Sequence, residues 1–174
     1  MNYKPIIVVA GEPNSIFSEI FFKAKKNKVI KNPIILIASK KLIASQMKSL
    51  KFNYKINLID YYKDDLSKLK NNDINLINVD FKFKKTFEKI TDKSNIYIES
   101  CFALGIKILK KKDCLGLING PISKRNFLKN KYFGITEYLA NKCGKKNKVA
   151  MLIFNKKLSV SPITTHIPLK DVHK

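Results

Sequence analysis

Residues 5–24 read PIIVVAGEPNSIFSEIFFKA, and this stretch decides the fold class. Its first six residues are a short run rich in Ile and Val, the composition of a parallel strand buried on both faces rather than of an alternating, half-solvated one. Gly11 ends the run. From Ser15 onward Ile16, Phe17, Ile20, Phe21 and Ala24 share one helical face, and Asn14 or Ser15 is placed to cap the first turn. Strand, turn and amphipathic helix is the unit from which parallel sheets are built.

The unit recurs downstream. Residues 33–38 (PIILIA) read as a second strand, Ser39 can cap the helix that follows, and Leu42, Ile43, Met47 and Leu50 line its buried side. Residues 56–59 and 74–79 are further short strands, separated by a polar surface loop over 63–73. Residues 80–93 set Phe81, Phe83 and Phe87 among lysines, a pattern that predicts an edge strand with its lysines in water in preference to a base-stacking surface. The clearest helix is 95–112, where Ile98, Cys101, Phe102, Gly105, Ile108 and Leu109 recur at helical spacing and Lys110, Lys111 and Lys112 meet the negative end of the dipole.

A strand over 114–119 (CLGLIN) is broken by Gly120 and Pro121, with Ser123 placed to cap a short helix. Residues 136–143 form a helix closed by Gly144, and 149–154 and 158–163 are strands around a turn at Asn155, Lys156 and Lys157. With no internal repeat and no long linker, the expectation is one α/β unit over 1–174, a mostly parallel sheet flanked by helices.

Composition narrows the class. A chain of 174 residues with 45% hydrophobic and 10% aromatic residues buries a core and is too apolar for a disordered segment. No apolar run approaches the roughly 20 residues that cross a bilayer, and the first residues lack a signal-peptide core and cleavage site, so a cytoplasmic location without membrane partners is expected. Cys101, Cys114 and Cys143 are too far apart for a CxxC pair and read as small core or surface thiols. The formal charge of +22 is carried almost wholly by lysine, since Arg125 is the only arginine among 35 basic residues. Lysine lacks the planar fork used to read bases, so the excess reads as compositional bias, and no specific nucleic-acid partner is expected.

In open α/β sheets ligands bind beyond the carboxyl ends of the strands. Four segments fall there: 11–14, 119–124, 134–137 and 164–166. The turn 119–124 (NGPISK) combines helix amides with Lys124, which suits a phosphate or carboxylate. His166 follows directly on a strand and would project at the ligand edge, although a lone histidine is more often structural than a ligand. His173, close to the last residue, reads as solvated. HExxH, GxSxG, P-loop and GxGxxG patterns are all absent from the sequence.

Taken in order, the four segments resemble those of the 4-hydroxythreonine-4-phosphate dehydrogenase family. Gly11-Glu12-Pro13 with Glu19-Ile20 is similar to that family's opening Gly-Asp/Glu-Pro-Ala-Gly-Ile-Gly-Pro-Glu, with Asn14, Ser15, Phe17 and Ser18 standing where it has Ala, Gly, Gly and Pro. Residues 120–124 (GPISK) resemble its Ala/Gly-Pro-Ile-Asn/Ser-Lys, and 133–138 (FGITEY) its Phe-x-Gly-His-Thr-Glu-Phe. Residues 164–172 (TTHIPLKDV) are nearly identical to its Thr-Thr-His-Ile/Leu-Pro-Leu-Arg-Asp-Val/Ile.

The resemblance covers the amino-terminal half of that enzyme and implies a fold of the isocitrate/isopropylmalate dehydrogenase type. It implies NAD- or NADP-dependent oxidation, with decarboxylation, of 4-phosphohydroxy-L-threonine in pyridoxine and pyridoxal phosphate synthesis. It further implies a divalent metal (Zn, Mg or Co), a small phosphorylated hydroxy amino acid as substrate, and a homodimer. His166 takes the place of a metal ligand. Ile135 and Thr136 take the substrate-binding positions, the threonine kept and the isoleucine standing where the family has histidine. The family's two further metal histidines lie in downstream Asn-Pro-His and Tyr-His-Asp-Gln motifs that have no counterpart here, so this chain alone is expected not to retain the metal. An inactive fragment or a binding module of the same fold is the alternative reading.

Overall fold

A computed structural model describes residues 3–27, 30–146, 148–164 and 168–173. The chain divides into two units, Met1–Phe127 and Leu128–Lys174.

The first unit is built on five parallel strands: β1 (Ile6–Val9), β2 (Ile34–Ala38), β3 (Ile56–Leu58), β4 (Ile74–Asn78) and β5 (Gly116–Asn119). Their order across the sheet is β3-β4-β2-β1-β5. Register is continuous, with Val8 beside both Leu36 and Ile118. Three helices fill the crossovers: α1 (Phe17–Lys26), α2 (Lys40–Ser49) and α3 (Asn95–Lys110). This is the α/β architecture expected from the opening residues.

Both sheet faces are covered, as the Ile/Val runs require. On one face Phe17 and Phe22 of α1 and Ile43 of α2 pack with Val8, Ala10, Leu36, Ala38, Ile74 and Leu76. On the other, Gly105 brings α3 close enough that a Cβ there would meet Leu117 Cδ1 at 2.9 Å and Val9 Cγ2 at 3.0 Å. Ile98, Cys101, Phe102 and Ile108, four of the residues whose spacing marked this helix, are fully buried.

Helix starts follow local chemistry. Ser39 Oγ accepts from Leu42 N and caps α2, whereas the expected cap at Asn14 or Ser15 does not form: the residue before α1 is Ile16, without a side-chain cap, and Ser15 Oγ accepts from Phe17 N at 3.2 Å. The buried stripe of α1 differs from the expected one: Phe17, Ser18 and Phe22 are inside, whereas Ile16, Ile20 and Ala24 are exposed. The stripe follows Phe22, which fills the core between α1, α2 and the sheet and turns the helix accordingly.

The edge strand expected over 80–93 does not form. These residues are a loop ending in a 3₁₀ turn, Asp92–Ser94, and their backbone is engaged by side chains instead of by a ladder. Glu88 Oε1 accepts from Lys84 N and Lys85 N, Asn14 Oδ1 accepts from Glu88 N, and Gln46 Nε2 donates to Thr86 O. Phe81 packs on Tyr97 at 4.8 Å between ring centres.

In the second unit, α4 (Ile135–Lys142) is followed by a hairpin of β6 (Ile153–Phe154) and β7 (Ser159–Val160). Gly144, at φ +70°, closes α4: Lys145 N donates to Ala140 O and Gly144 N to Asn141 O, the paired bonds of a Schellman motif. The hairpin turns at Asn155, whose side chain accepts from Lys157 N at 2.9 Å. Its strands are shorter than the apolar runs 149–154 and 158–163 that predict them. No helix among the described residues is long and apolar enough to cross a membrane.

Candidate active-site edge

Strand order places the candidate site. The chain crosses from β1 to β2 on one side and returns to place β5 on the other side of β1, so the order reverses between β1 and β5. The crevice beyond the carboxyl ends of two such strands is where an open α/β sheet takes ligands. The segments 11–14 and 119–124, chosen from sequence alone, flank that point.

The structure brings these two loops into backbone contact. Gly120 N donates to Val9 O at 2.7 Å, and Glu12 N donates to Pro121 O at 2.8 Å. Gly11 sits at φ +75°, and a Cβ on it would lie 2.3 Å from Pro121 O. A Cβ on Gly120 would lie 2.1 Å from Ala10 O. Neither position admits a side chain, so the two glycines set the approach of the strand ends.

Glu12 is only 2% exposed and points inward. Its Oε2 accepts from Ser94 Oγ at 2.8 Å and its Oε1 from Asn14 N at 3.2 Å. Beside it Gln46 Nε2 donates to Pro13 O, and Ser39 N donates to Tyr97 Oη at 3.0 Å. Burial, with smaller contributions from Cys101 and Glu12, holds the Tyr97 phenol well above its ordinary range, and burial pushes the Cys101 thiol up to about 12. Both therefore stay protonated at neutral pH. Ser94 and Gln46 were not singled out from sequence. The signal for Ser94 is the Thr91-to-Ser94 turn directly before α3, where Thr91 Oγ1 accepts from Lys93 N.

Across the 119–124 turn, Ser123 Oγ donates to Asn126 Oδ1 and accepts from Asn126 N, and Asn126 O accepts from Asn95 Nδ2. Lys124 is exposed. A cavity of about 530 Å³ lies elsewhere in this unit, lined by Pro5 and Asp113 just ahead of β1 and β5 together with Tyr61 and Lys111, and so at the amino rather than the carboxyl ends of the strands.

The remaining sequence-chosen residues belong to the second unit. Ile135 and Thr136 open α4 and are both half-buried; Gly134 precedes them in extended conformation, without a side-chain cap. Tyr138, one turn on, is buried and meets Tyr132 edge-on at 5.5 Å. Thr164 is half-buried, whereas Thr165 and His166 lie outside the described residues. His173 is exposed. Among the described residues no three His, Cys, Asp or Glu side chains converge on a point that would hold a metal ion.

Known proteins place these features in one family. A profile of the family described as "Pyridoxal phosphate biosynthetic protein PdxA" matches residues 30–174. The 4-hydroxythreonine-4-phosphate dehydrogenase of Sulfurihydrogenibium sp. (strain YO3AOP1) is 35% identical, the match covering 96% of this chain and 51% of that protein. That of Aquifex aeolicus (strain VF5) is 28% identical over 97% of this chain and 52% of its own length. Among solved structures, a 4-hydroxythreonine-4-phosphate dehydrogenase from Burkholderia phymatum superposes with a TM-score of 0.81 at 19% identity, over 97% of this chain and 52% of that one. The Klebsiella pneumoniae enzyme gives 0.80 at 20%, over 96% and 52%. The chain thus spans about half the length of the curated relatives it matches. By its profile match over most of its length, and with the parallel fold shared with those structures, this chain belongs to the pyridoxal phosphate biosynthetic protein PdxA family.

Proposed function

We propose that this chain supplies the amino-terminal half of a 4-hydroxythreonine-4-phosphate dehydrogenase site. The observation that carries the reading is the ordered recurrence of four family segments, two of which meet at the reversal point of the sheet through Glu12 N and Pro121 O. The substrate class is a small phosphorylated hydroxy amino acid, oxidised with NAD or NADP as hydride acceptor. Thr136 contacts the substrate, and His166 provides one ligand to a divalent cation. The cation's role would be to stabilise negative charge on the substrate oxygen as hydride leaves. The acting form is a homodimer in the cytoplasm, as the resemblance implies. The first unit contributes rigidity: its edge glycines and the buried Glu12 hold the loops in place.

A second reading, an inactive fragment or binding module, is favoured by one specific residue. Ile135 stands at the family's histidine position, and isoleucine carries no donor, acceptor or charge.

The deciding experiment joins this chain to the unmatched half of the Sulfurihydrogenibium relative and follows NADH formation with 4-phosphohydroxy-L-threonine. Turnover is expected in the joined protein, and His166→Ala should lower it by more than the about 10- to 100-fold typical of losing an outer-shell partner of a metal ligand. Turnover that survives His166→Ala rejects the assignment. A folded joined protein that binds substrate without oxidising it supports the second reading.

A further inference from the structure

Three stretches of the first unit converge on the cavity of about 530 Å³ ahead of β1 and β5: residues 3–5 entering β1, 61–67 between β3 and β4, and 111–113 between α3 and β5. Its volume is that of a small-molecule site. Three tyrosines, three lysines and three aspartates line it, and the aspartates are already engaged. Asp64 Oδ2 accepts from Asp60 N at 2.8 Å, Asp65 Oδ1 accepts from Ser67 N and Ser67 Oγ, and Asp113 Oδ2 accepts from Tyr61 Oη at 3.4 Å. Lys4 Nζ is engaged too, donating to Lys112 O at 3.0 Å, and Lys111 Nζ lies over the rings of Tyr61 and Tyr62 at 4.8 and 5.2 Å. The Lys112 ammonium is the lining charge without a partner among the described residues, so the unspent charge of the cavity is positive.

Tyr62 supplies the apolar surface. It is 64% exposed, whereas Tyr61, which meets it edge-on at 5.4 Å, is buried. Its backbone is nonetheless held: Tyr62 N donates to Asp60 Oδ1 at 3.0 Å, and Lys63 N and Asp64 N donate to Asp60 O. Lys107 Nζ lies 5.2 Å from the same ring centre, as Lys111 Nζ does. An open aromatic ring on a fixed turn, flanked by ammonium groups, is the combination that stacks a planar ring and holds its anion. An organic cation would meet these lysines with the aspartates already spent, and the chain's +22 charge opposes it further. We propose that this cavity binds a planar heteroaromatic ring carrying a phosphate, the chemistry of a nucleoside monophosphate, with the ring stacked on Tyr62 and the phosphate paired with Lys112. The site lies at the end of the strands opposite residues 11–14 and 119–124, and it stands independently of the dehydrogenase reading.

The test titrates the full chain with adenosine monophosphate, adenosine and inorganic phosphate at one ionic strength, by calorimetry and by amide chemical shifts. Adenosine monophosphate should bind about 10-fold or more tighter than either component, since only it makes both the stacking and the charged contact, and should move the amides of 61–63 and 111–113. Tyr62→Ala should weaken it by about 5- to 150-fold, the range for stacking one base, and Tyr62→Phe should keep the wild-type affinity. Lys112→Gln should weaken the nucleotide by about 5-fold or more and leave adenosine unchanged. Affinity for the nucleotide no greater than for inorganic phosphate overturns the proposal, because diffuse charge then accounts for all binding. Binding that survives Tyr62→Ala overturns it equally, as does binding lost in Lys124→Gln, which places the nucleotide at the carboxyl edge.

Discussion

Replacing Gly120 by alanine tests the geometry on which the site edge depends. The added Cβ would lie 2.1 Å from Ala10 O, 2.8 Å from the Ala10 carbonyl carbon and 2.7 Å from Phe17 Cδ2. Ordinary contact begins near 3.4 Å, so the carbonyl must retreat by more than 1 Å (3.4 minus 2.1). The obstacle is backbone, so no rotamer change relieves it, and retreat pulls on the Gly120 N to Val9 O bond at 2.7 Å. Overpacking costs about 1–3 kcal/mol and a strained or lost hydrogen bond about 1 more, which places Gly120→Ala near 3 kcal/mol destabilising. Two other glycines of the same unit, Gly116 in β5 and Gly105 in α3, calibrate it. At Gly116 an added Cβ meets nothing within 4 Å, so alanine there should be neutral or stabilising by up to about 1 kcal/mol. At Gly105 the obstacles are the tips of Leu117 and Val9, and the gain in helix propensity offsets them, for a net effect near zero. Urea unfolding followed by far-ultraviolet circular dichroism should therefore move the midpoint down by about 1–3 M for Gly120→Ala and hardly at all for the other two. A midpoint for Gly120→Ala equal to that of Gly116→Ala refutes the close approach of β1 and β5.

Glu12→Ala leaves Asn14 N without its carboxylate acceptor and removes one of the two acceptors of Ser94 Oγ, so it should cost about 1–3 kcal/mol, with Glu12→Gln milder because its amide oxygen keeps one bond; wild-type stability for Glu12→Ala would show that the carboxylate holds nothing. Cys101 and Cys114 are buried and protonated at neutral pH, whereas Cys143 is partly exposed, so iodoacetamide should modify Cys143 first; native labelling of Cys101 faster than global unfolding would contradict that order. Burial pushes the two buried thiols from 9.0 to about 12 and about 11, so the unfolded chain releases these protons first and the folded state holds more of them. Their contribution is intact below pH 9 and is lost as pH rises from there toward the folded-state values, with the larger share from the more deeply buried Cys101. Cys101→Ala should flatten that alkaline slope in pH-dependent denaturation, and an unchanged slope would remove the thiol from the account.

Much of the first unit was legible because its strands carry their environment in their composition. PIIVVA and PIILIA have no polar face, so only a doubly covered parallel sheet accommodates them. Ser39 and Gly144 were legible because capping is local. What escaped depends on distant partners. Residues 80–93 alternate Phe and Lys in a strand-like way, yet their backbone is held by Asn14 and Gln46 from remote parts of the chain. The stripe of α1 slipped because Ile16 and Ile20 suit the helix period as well as Ser18 and Phe22 do, and only the shape of the core chooses between them. At the site, Gly11 and Gly120 could be placed from strand ends alone. Ile135, Thr136 and His166 fall in segments chosen from strand ends, but the roles given to them came only from resemblance, because one histidine and one threonine carry no spacing signal.

The division of labour between the two units leads to a last prediction. At the edge of the first unit polar atoms are used on one another: Glu12 on Asn14 and Ser94, Gln46 on Pro13 and Thr86, Ser123 on Asn126. An edge satisfied in this way positions the chain and offers a ligand little, so substitutions there should change stability before they change specificity. On the proposed function, specificity falls on Ile135 and Thr136. A substrate oxygen facing isoleucine lacks a partner that histidine would supply, and a hydrogen bond to a charged group contributes about 1.5–3 kcal/mol, or roughly 10- to 150-fold in kcat/KM. Ile135→His in the fused, full-length protein should therefore raise kcat/KM for 4-phosphohydroxy-L-threonine by that factor, with the midpoint of unfolding unchanged. If Ile135→His instead lowers kcat/KM while Thr136→Val is also damaging, the isoleucine is an adaptation to a substrate with an apolar group at that point, and the phosphorylated hydroxythreonine is the wrong ligand for this chain.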